Sequence, residues 1–227
     1  MEVIALVPIK SDSERLKDKN FLAFCGQPLY QIVLDKLQEI DFIKSIVINT
    51  DSKIIANDCS NRYSKSIIID RPLNIRGNDI TMNTIIGYDL TKVTGEHFLQ
   101  THCTNPLLSK TTIIGAINKY FENLNDYDSL ISTQVIKKRG YNFNGTPINH
   151  DNLKLEQTQN LPEIFIENSN LFLFSRTSFY NSFNSRVGNK PQLFPMSFIE
   201  GIDIDYSEDF LLAELINKNK ELFHELD

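Results

Sequence analysis

Val3-Ile4-Ala5-Leu6-Val7-Pro8-Ile9, followed at once by Lys10-Ser11-Asp12-Ser13-Glu14-Arg15-Leu16-Lys17-Asp18-Lys19-Asn20, is the stretch that decides the fold. An apolar run without polar alternation suits a parallel strand covered on both faces, and the polar run places a long loop at its carboxyl end. Pro28 opens a helical pattern in which Ile32, Val33, Leu37 and Ile40 recur at three and four residues, and a second apolar run spans 45–49. Strand, loop, helix and strand thus occupy the first fifty residues. Outward from there the alternation continues, with helices expected near 53–63, 81–91 and 110–124 and strands near 66–70, 97–101 and 129–135. Strands separated by helices of this length predict a doubly wound α/β fold with a mostly parallel sheet and right-handed crossovers.

Between 137 and 161 the rhythm fails. Gly140, Gly145, Pro147 and several asparagines predict a small loop-rich or hairpin excursion, the kind of segment that carries substrate or partner contacts. Beyond it the pattern predicts a strand over 171–174, a short helix around Thr177, a strand ending at Asp205, and a terminal helix from about Ser207. Ser207 suits the cap of that helix, with Glu208 and Asp209 in the first turn complementing its dipole.

The 227 residues, 41% hydrophobic and 23% charged, are enough to bury one large core, so a single domain over 1–227 is expected and a disordered chain is excluded. A net charge of −6 offers no general electrostatic basis for binding nucleic acid. Cys25, Cys59 and Cys103 are widely spaced with no C-x-x-C, which suits free thiols in a reducing compartment. No apolar run is long enough to span a membrane, and neither an export signal nor a lipidation pattern is present, so a cytoplasmic location without membrane contact is expected.

Three constellations carry chemistry. The loop after the first strand lies where doubly wound folds place their ligands. Its cations Lys10, Arg15, Lys17 and Lys19, with the Ser11 and Ser13 hydroxyls and the backbone N–H groups, suit either a bound triphosphate or a solvated charged turn. It contains no glycine and no G-K-[ST], so it is not a Walker loop. The second is Gly201-Ile202-Asp203-Ile204-Asp205. On a strand, residues two apart share a face, so Asp203 and Asp205 could hold one magnesium ion or simply form an exposed acidic edge. The third, Gln100-Thr101-His102-Cys103-Thr104-Asn105-Pro106-Leu107, follows a buried strand with polar groups able to hydrogen-bond a sugar. His102 and Cys103 are adjacent on an extended segment and point to opposite faces, which opposes a thiol–imidazole nucleophile. Lys137-Lys138-Arg139 reads as a solvated turn.

Together these segments resemble the acylneuraminate cytidylyltransferases, the family of CMP-sialic acid and CMP-Kdo synthetases, in order over nearly the whole chain. Ala5 to Lys10 with Ser13, Lys19 and Asn20 is similar to the family's P-A-R-x-x-S…K-N loop, and Gly26-Gln27-Pro28-Leu29 to its G-x-P-L. Thr50-Asp51 and Arg71-Pro72 match its T-D and R-P pairs, and Gln100-Thr101…Asn105-Pro106-Leu107 its Q-x-T-S-P-L. Leu161-Pro162…Glu167-Asn168-Ser169-Asn170-Leu171-Phe172 resembles L-P…E-N-G-A-I-Y, and residues 202–205 match I-D-I-D. In this chain Lys10 replaces the loop arginine, Asp12 and Glu14 add negative charge, Thr158 stands at a basic position of sialic acid enzymes, and Ser169 replaces a glycine.

The resemblance implies a Rossmann-like fold and a homodimer in which the 137–161 excursion reaches the partner. It implies a nucleotide site of Lys10, Ser11, Ser13, Arg15, Lys19, Asn20 and Arg71, and a sugar site of Gln100, Thr101, Asn168 and Phe172. Mg2+ would be held by Asp203 and Asp205. The implied reaction joins CTP and an acidic 2-keto-3-deoxy sugar into a CMP-sugar and pyrophosphate, with Lys10, Arg15, Lys19, Asp203 and Asp205 as the catalytic set. Residue chemistry leaves open a sugar phosphate or alditol phosphate acceptor, a non-catalytic nucleotide-binding module, and a glycosyltransferase using the D-x-D pair.

Overall fold

The computed structural model describes residues 1–154 and 156–221. Along the chain run β1 (Val3–Leu6), β2 (Ala23–Phe24), β3 (Gln27–Pro28), α1 (Leu29–Gln38), β4 (Ile43–Thr50), α2 (Lys53–Arg62), β5 (Ser66–Asp70), α3 (Met82–Lys92) and β6 (His97–Thr101). There follow α4 (Lys110–Glu122), β7 (Ser129–Ile136), β8 (Ile164–Ser175), α5 (Arg176–Asn181), β9 (Pro191–Met196) and α6 (Ser207–Lys218). The main sheet has the order β5-β4-β1-β6-β8-β7-β9, while β2 and β3 form a separate ribbon. Only β8 runs against its neighbours, pairing antiparallel with β6 and β7.

The continuous apolar runs are explained by helices on both sides of the sheet. Val3 and Ala5 of β1 enter one core with Val33 and Leu37 of α1, Ile55 of α2 and Ile113 and Ile117 of α4. Ile4 and Leu6 enter the other with Ile86 and Leu90 of α3 and Phe179 of α5. Hydroxyl caps start the helices: Ser52, Thr81, Ser109 and Ser175 each accept a backbone N–H from the first turn. Helix and strand positions from α1 through β7 therefore agree with the sequence-based expectation to within about two residues, whereas β1 stops at Leu6, three residues short of the end of the apolar run, and the β2–β3 ribbon is not foreseen.

Three expectations are corrected. No strand ends at Asp205: the last strand is β9, and residues 202–205 are irregular loop. β9 escaped notice because it contains Pro191 and Pro195, which a strand at the end of a sheet tolerates. The strand expected at 171–174 extends over Ile164–Ser175, its polar middle disguised by a bulge opposite Ser132. There the Ser132 hydroxyl donates to Asn168 Oδ1 and accepts the Leu171 N–H, and Ser169 adopts φ 57°, a left-handed conformation usually given to glycine. Finally, Ser207 does not cap α6. Tyr206 occupies that position, and Asp209 Oδ2 accepts the backbone N–H groups of Asp205 and Tyr206.

The excursion at 137–161, apart from Leu155, which lies outside the described residues, joins β7 to β8 as an irregular hairpin closed by a Tyr141–Pro147 bridge. Lys137 and Lys138 are exposed, as a solvated turn requires. Among the described residues no helix is long and apolar enough to cross a membrane.

Candidate active site

The chain leaves β1 toward β4 on one side and later places β6 on the other, so the order of the sheet reverses between β1 and β6. Loops at the carboxyl ends of two such strands diverge and leave a crevice. Here a cleft of about 450 Å³ opens there, lined by Lys10, Ser13, Glu14, Arg15, Lys19 and Asn20 from the first loop, His102, Cys103 and Thr104 from the second, and Asp203 and Asp205. Arg71, Asn78, Met82 and Ile85 complete its far wall.

The first loop is shaped by its own side chains rather than by glycine. Asp51 Oδ1 accepts the Ser11 N–H at 2.7 Å, and Asn20 donates from its amide to Lys10 O at 2.8 Å, tying the loop's two ends together. Cys103 Sγ in turn donates to Asn20 Oδ1 at 3.2 Å, which joins the loops after β1 and β6. Asp12 accepts the Ser13 N–H. Lys10 donates to Asn78 Oδ1 at 2.9 Å, and Asn78 donates to Glu14, so Glu14 faces an amide at the rim.

The aspartate segment is clamped to the same loops. Ile204 N–H donates to the Thr104 backbone O, and the Asn105 and Asn170 side-chain amides donate to Ile202 O and Gly201 O, so one main-chain bond and two side chains fix a backbone that the sheet does not. Buried Lys19 donates to Ile204 O at 2.5 Å and lies 3.2 Å from Asp205 Oδ1, and Arg15 meets Asp205 Oδ2 at 2.5 Å. The two stretches therefore converge directly. Asp203 is half-buried, and burial pushes its carboxyl up, opposed by the Thr104 hydrogen bond and by Lys19 and Arg15. Its Oδ1 is buried with no partner among the described residues. Two carboxylates, one with an unsatisfied oxygen, have the hard oxygen chemistry that would suit a magnesium ion. No cluster of three or more His, Cys, Asp or Glu side chains suited to a metal exists among the described residues.

Arg71 is buried and donates through Nε to Asn49 Oδ1 at 2.8 Å and through Nη2 to Asn49 O at 2.7 Å. Asn49 is itself fastened to buried Asp89 at 2.5 Å. The four expected sugar residues lie differently from the phosphate set. Gln100, Thr101 and Phe172 are buried behind the cleft wall, and Asn168 is half-buried in the β8 bulge, bonded to Ser132. Ser11 also does not line the cleft, and its N–H serves Asp51. Thr158 lies on the exposed excursion.

Sequence reasoning missed Asn78, which follows an unremarked Gly77, and the Asn49–Asp89 pair, whose members sit in separate elements. It also missed Arg186, in the loop between α5 and β9, whose guanidinium lies 3.6 Å from the Phe172 ring centre and donates to Gln100 Oε1. No local pattern marks any of these, because each gains its partners only through the fold. His102 lies 3.2 Å from Gln100 Nε2, and burial together with Arg186 and Lys19 lowers its imidazole to about 3, leaving it neutral and weakly basic at pH 7. Burial likewise raises the Cys103 thiol to about 12. Neither group is poised as a nucleophile or base.

A family model described as cytidylyltransferase matches residues 4–222. N-acylneuraminate cytidylyltransferase of Streptococcus agalactiae serotype V is 22% identical over 93% of this chain, which spans 52% of that protein, about half its length. Post-translational flagellin modification protein B of Campylobacter coli is 24% identical over 97% of both chains. Among solved structures, CMP:2-keto-3-deoxy-manno-octonic acid synthetase complexed with CTP superposes with a TM-score of 0.69 at 11% identity, covering 97% of this chain and 100% of that one. At that identity the likeness shows a shared fold.

Proposed function

Because this chain belongs to the cytidylyltransferase family, we propose that it transfers CMP from CTP to the anomeric hydroxyl of an acidic 2-keto-3-deoxy sugar of the sialic acid-like class, releasing pyrophosphate. The observation that carries this reading is the meeting of the cationic loop and the Asp203/Asp205 pair in one cleft.

In the reaction the sugar oxygen forms a bond to the α-phosphorus, the bond from that phosphorus to the bridging oxygen breaks, and the hydroxyl proton leaves to water. The protein need only align the partners and neutralise charge. Lys10, Arg15 and Lys19 hold the phosphates and stabilise the departing pyrophosphate. Arg15 is half exposed on Asp205, so its guanidinium can turn from carboxylate to phosphate when the nucleotide enters, at little cost. Asp203 and Asp205 would hold Mg2+, which when bound supplies positive charge to polarise the α-phosphate. Arg71, held by Asn49, and Asn20, held by Lys10 O, would meet the nucleoside.

Pyrophosphate release from CTP against a panel of nonulosonic acids, octulosonic acids and an alditol phosphate, with and without magnesium, tests the reading. Turnover is expected with at least one acid and only with metal. CTP binding without turnover on any acceptor would leave a nucleotide-binding module, and turnover with the alditol phosphate alone would reassign the acceptor.

The assembly we propose is a homodimer using the excursion. Phe143 and Leu153 are almost wholly exposed and Tyr141 and Ile148 are half exposed on it, a set of apolar side chains left without cover in one chain. Light scattering is expected to give a dimer for the wild type and a monomer for Phe143→Lys, and a monomeric wild type would refute the assembly.

A further inference from the structure

Arg186 lies in Ser185-Arg186-Val187-Gly188, a loop that belongs to none of the motifs described above. Its backbone N–H donates to Asn83 Oδ1 at 3.3 Å, which ties the loop to α3, and Val187 packs into the same apolar cluster as Met82. The side chain then places Cζ over the Phe172 ring, 3.6 Å from its centre, and donates from Nη1 to Gln100 Oε1. Gln100 cannot rotate away, because its amide donates to Thr101 O at 3.0 Å and meets His102 Nε2 at 3.2 Å.

This geometry leaves a half-buried cation without a counter-charge. No carboxylate of the described residues lies within ion-pair distance of the guanidinium, and Glu167 acts on it only from farther away. Burial pushes its pKa down to about 10, and one carbonyl oxygen together with one aromatic face offsets little of the desolvation. Of the five donors in the fork, the described residues engage one, and none of the others is among the fully buried atoms left without a partner. A guanidinium seated over an aromatic ring, with most of its donors unused by the described residues, suits a carboxylate taken by two parallel hydrogen bonds.

The position suits the acceptor rather than the nucleotide. Arg186 touches Phe172, Gln100 and Asn83, whereas Lys10, Arg15 and Lys19 touch Asn78, Ile204 and Asp205, so the two cationic groups share no partner. Arg186 stands beside the cleft rather than in its lining: the charges of both Arg186 and Lys19 act on the cleft-lining His102, and Met82, next to Asn83 in the chain, lines the same cleft. In a 2-keto-3-deoxy acid the carboxylate is one bond from the anomeric carbon whose hydroxyl attacks phosphorus. Its receptor must therefore stand near the phosphate cradle yet outside it.

We propose that Arg186, stacked on Phe172 and oriented by Gln100, binds the carboxylate of the acceptor sugar and is the residue by which the site selects an acid. This rests on the cytidylyltransferase reading given above. Phe172 and Gln100, buried behind the wall, act as positioning residues that hold the fork open.

The test uses 3-deoxy-manno-octulosonate and N-acetylneuraminate together with their C1 amides. CTP affinity is measured by equilibrium dialysis, sugar binding by saturation-transfer NMR, and turnover by pyrophosphate release, for wild type, Arg186→Met and Arg186→Lys, with urea midpoints as the check on folding. The expected result is a KM for the preferred acid raised about thirtyfold or more in Arg186→Met, a CTP affinity within about threefold of wild type, loss of the preference for acid over amide, and partial recovery in Arg186→Lys. An acid preference that survives in Arg186→Met overturns the proposal, as does a CTP affinity that falls in step with the sugar's. Wild-type protein that binds CTP but neither acid also overturns it while leaving nucleotide binding intact. Wild-type protein that binds an acid through Arg186 but not CTP refutes the transferase reading and leaves the carboxylate site standing. Binding of neither refutes both.

Discussion

Asp205→Ala is expected to lower magnesium-dependent pyrophosphate release by about 10²- to 10⁴-fold, the range typical of removing a group that stabilises developing phosphate charge. The direction of the accompanying change in nucleotide affinity is what makes the result diagnostic. In the free protein Asp205 is shared by Arg15 and Lys19, so it competes with a triphosphate for both cations. Its removal should leave metal-free CTP binding unchanged or tighter, while the rate collapses. A residue that merely supported the loop would weaken both together. Buried Lys19 keeps Ile204 O as a partner after the substitution, and Asp205→Asn, which preserves the shape, provides a second variant if alanine disturbs the loop. Pyrophosphate assays with and without magnesium, set beside CTP dialysis, decide the matter. Turnover within about threefold of wild type in both variants would remove the aspartate pair from the mechanism.

Asp89→Asn is expected to flatten the pH dependence of stability. Asp89 is fully buried on α3, and burial raises its carboxyl from 3.8 to about 7, against the opposing Asn49 hydrogen bond and the charge of Arg71. One of its oxygens, Oδ2, has no partner among the described residues. Because the folded pKa lies above the unfolded one, the native state binds the extra proton between those values. The contribution to stability is therefore full below about pH 4, declines as pH rises, and is gone above about pH 7. The span corresponds to about 4 kcal/mol as an order of magnitude. Asparagine presents the same acceptor to Asn49 with no charge to desolvate. Urea unfolding of wild type and variant between pH 4 and pH 8 should show the stability difference shifting in favour of the variant by a few kcal/mol as pH increases. A difference independent of pH would mean that the carboxyl titrates normally. Since Asp89 holds Asn49 and Asn49 holds Arg71, the same network ties the protonation of a core carboxyl to the placement of a cleft residue.

Much of the architecture is legible locally because burial on both faces of a parallel sheet imposes a pattern that short windows reveal. Val3–Leu6 can be apolar at every position only if both sides are covered, and the hydroxyls at Ser52, Thr81, Ser109 and Ser175 mark helix starts by bonding within one turn. The regions misread are those where long-range partners replace local rules. β8 carries Glu167-Asn168-Ser169-Asn170 through its centre because Ser132, on a neighbouring strand, satisfies the bulge. β9 tolerates two prolines because, among the described residues, it is the end strand of the sheet. Asp203 and Asp205 converge on the cleft without being a strand, since Lys19, the Thr104–Asn105 pair and Asn170 hold their backbone from three separate points of the chain.

The sequence by itself determined the doubly wound core, the position of the polar loop after its first strand, and the charge of the groups that meet in the cleft, because periodicity, caps and residue chemistry act over a few neighbours. Tertiary structure alone decided which of those groups meet, that Gln100 and Phe172 stand behind the wall supporting a guanidinium 86 and 14 residues away along the chain, and that Asp89 is stripped of water. The physical reason is that desolvation and long-range pairing depend on what the rest of the fold packs around a side chain, and no window of local sequence contains that information.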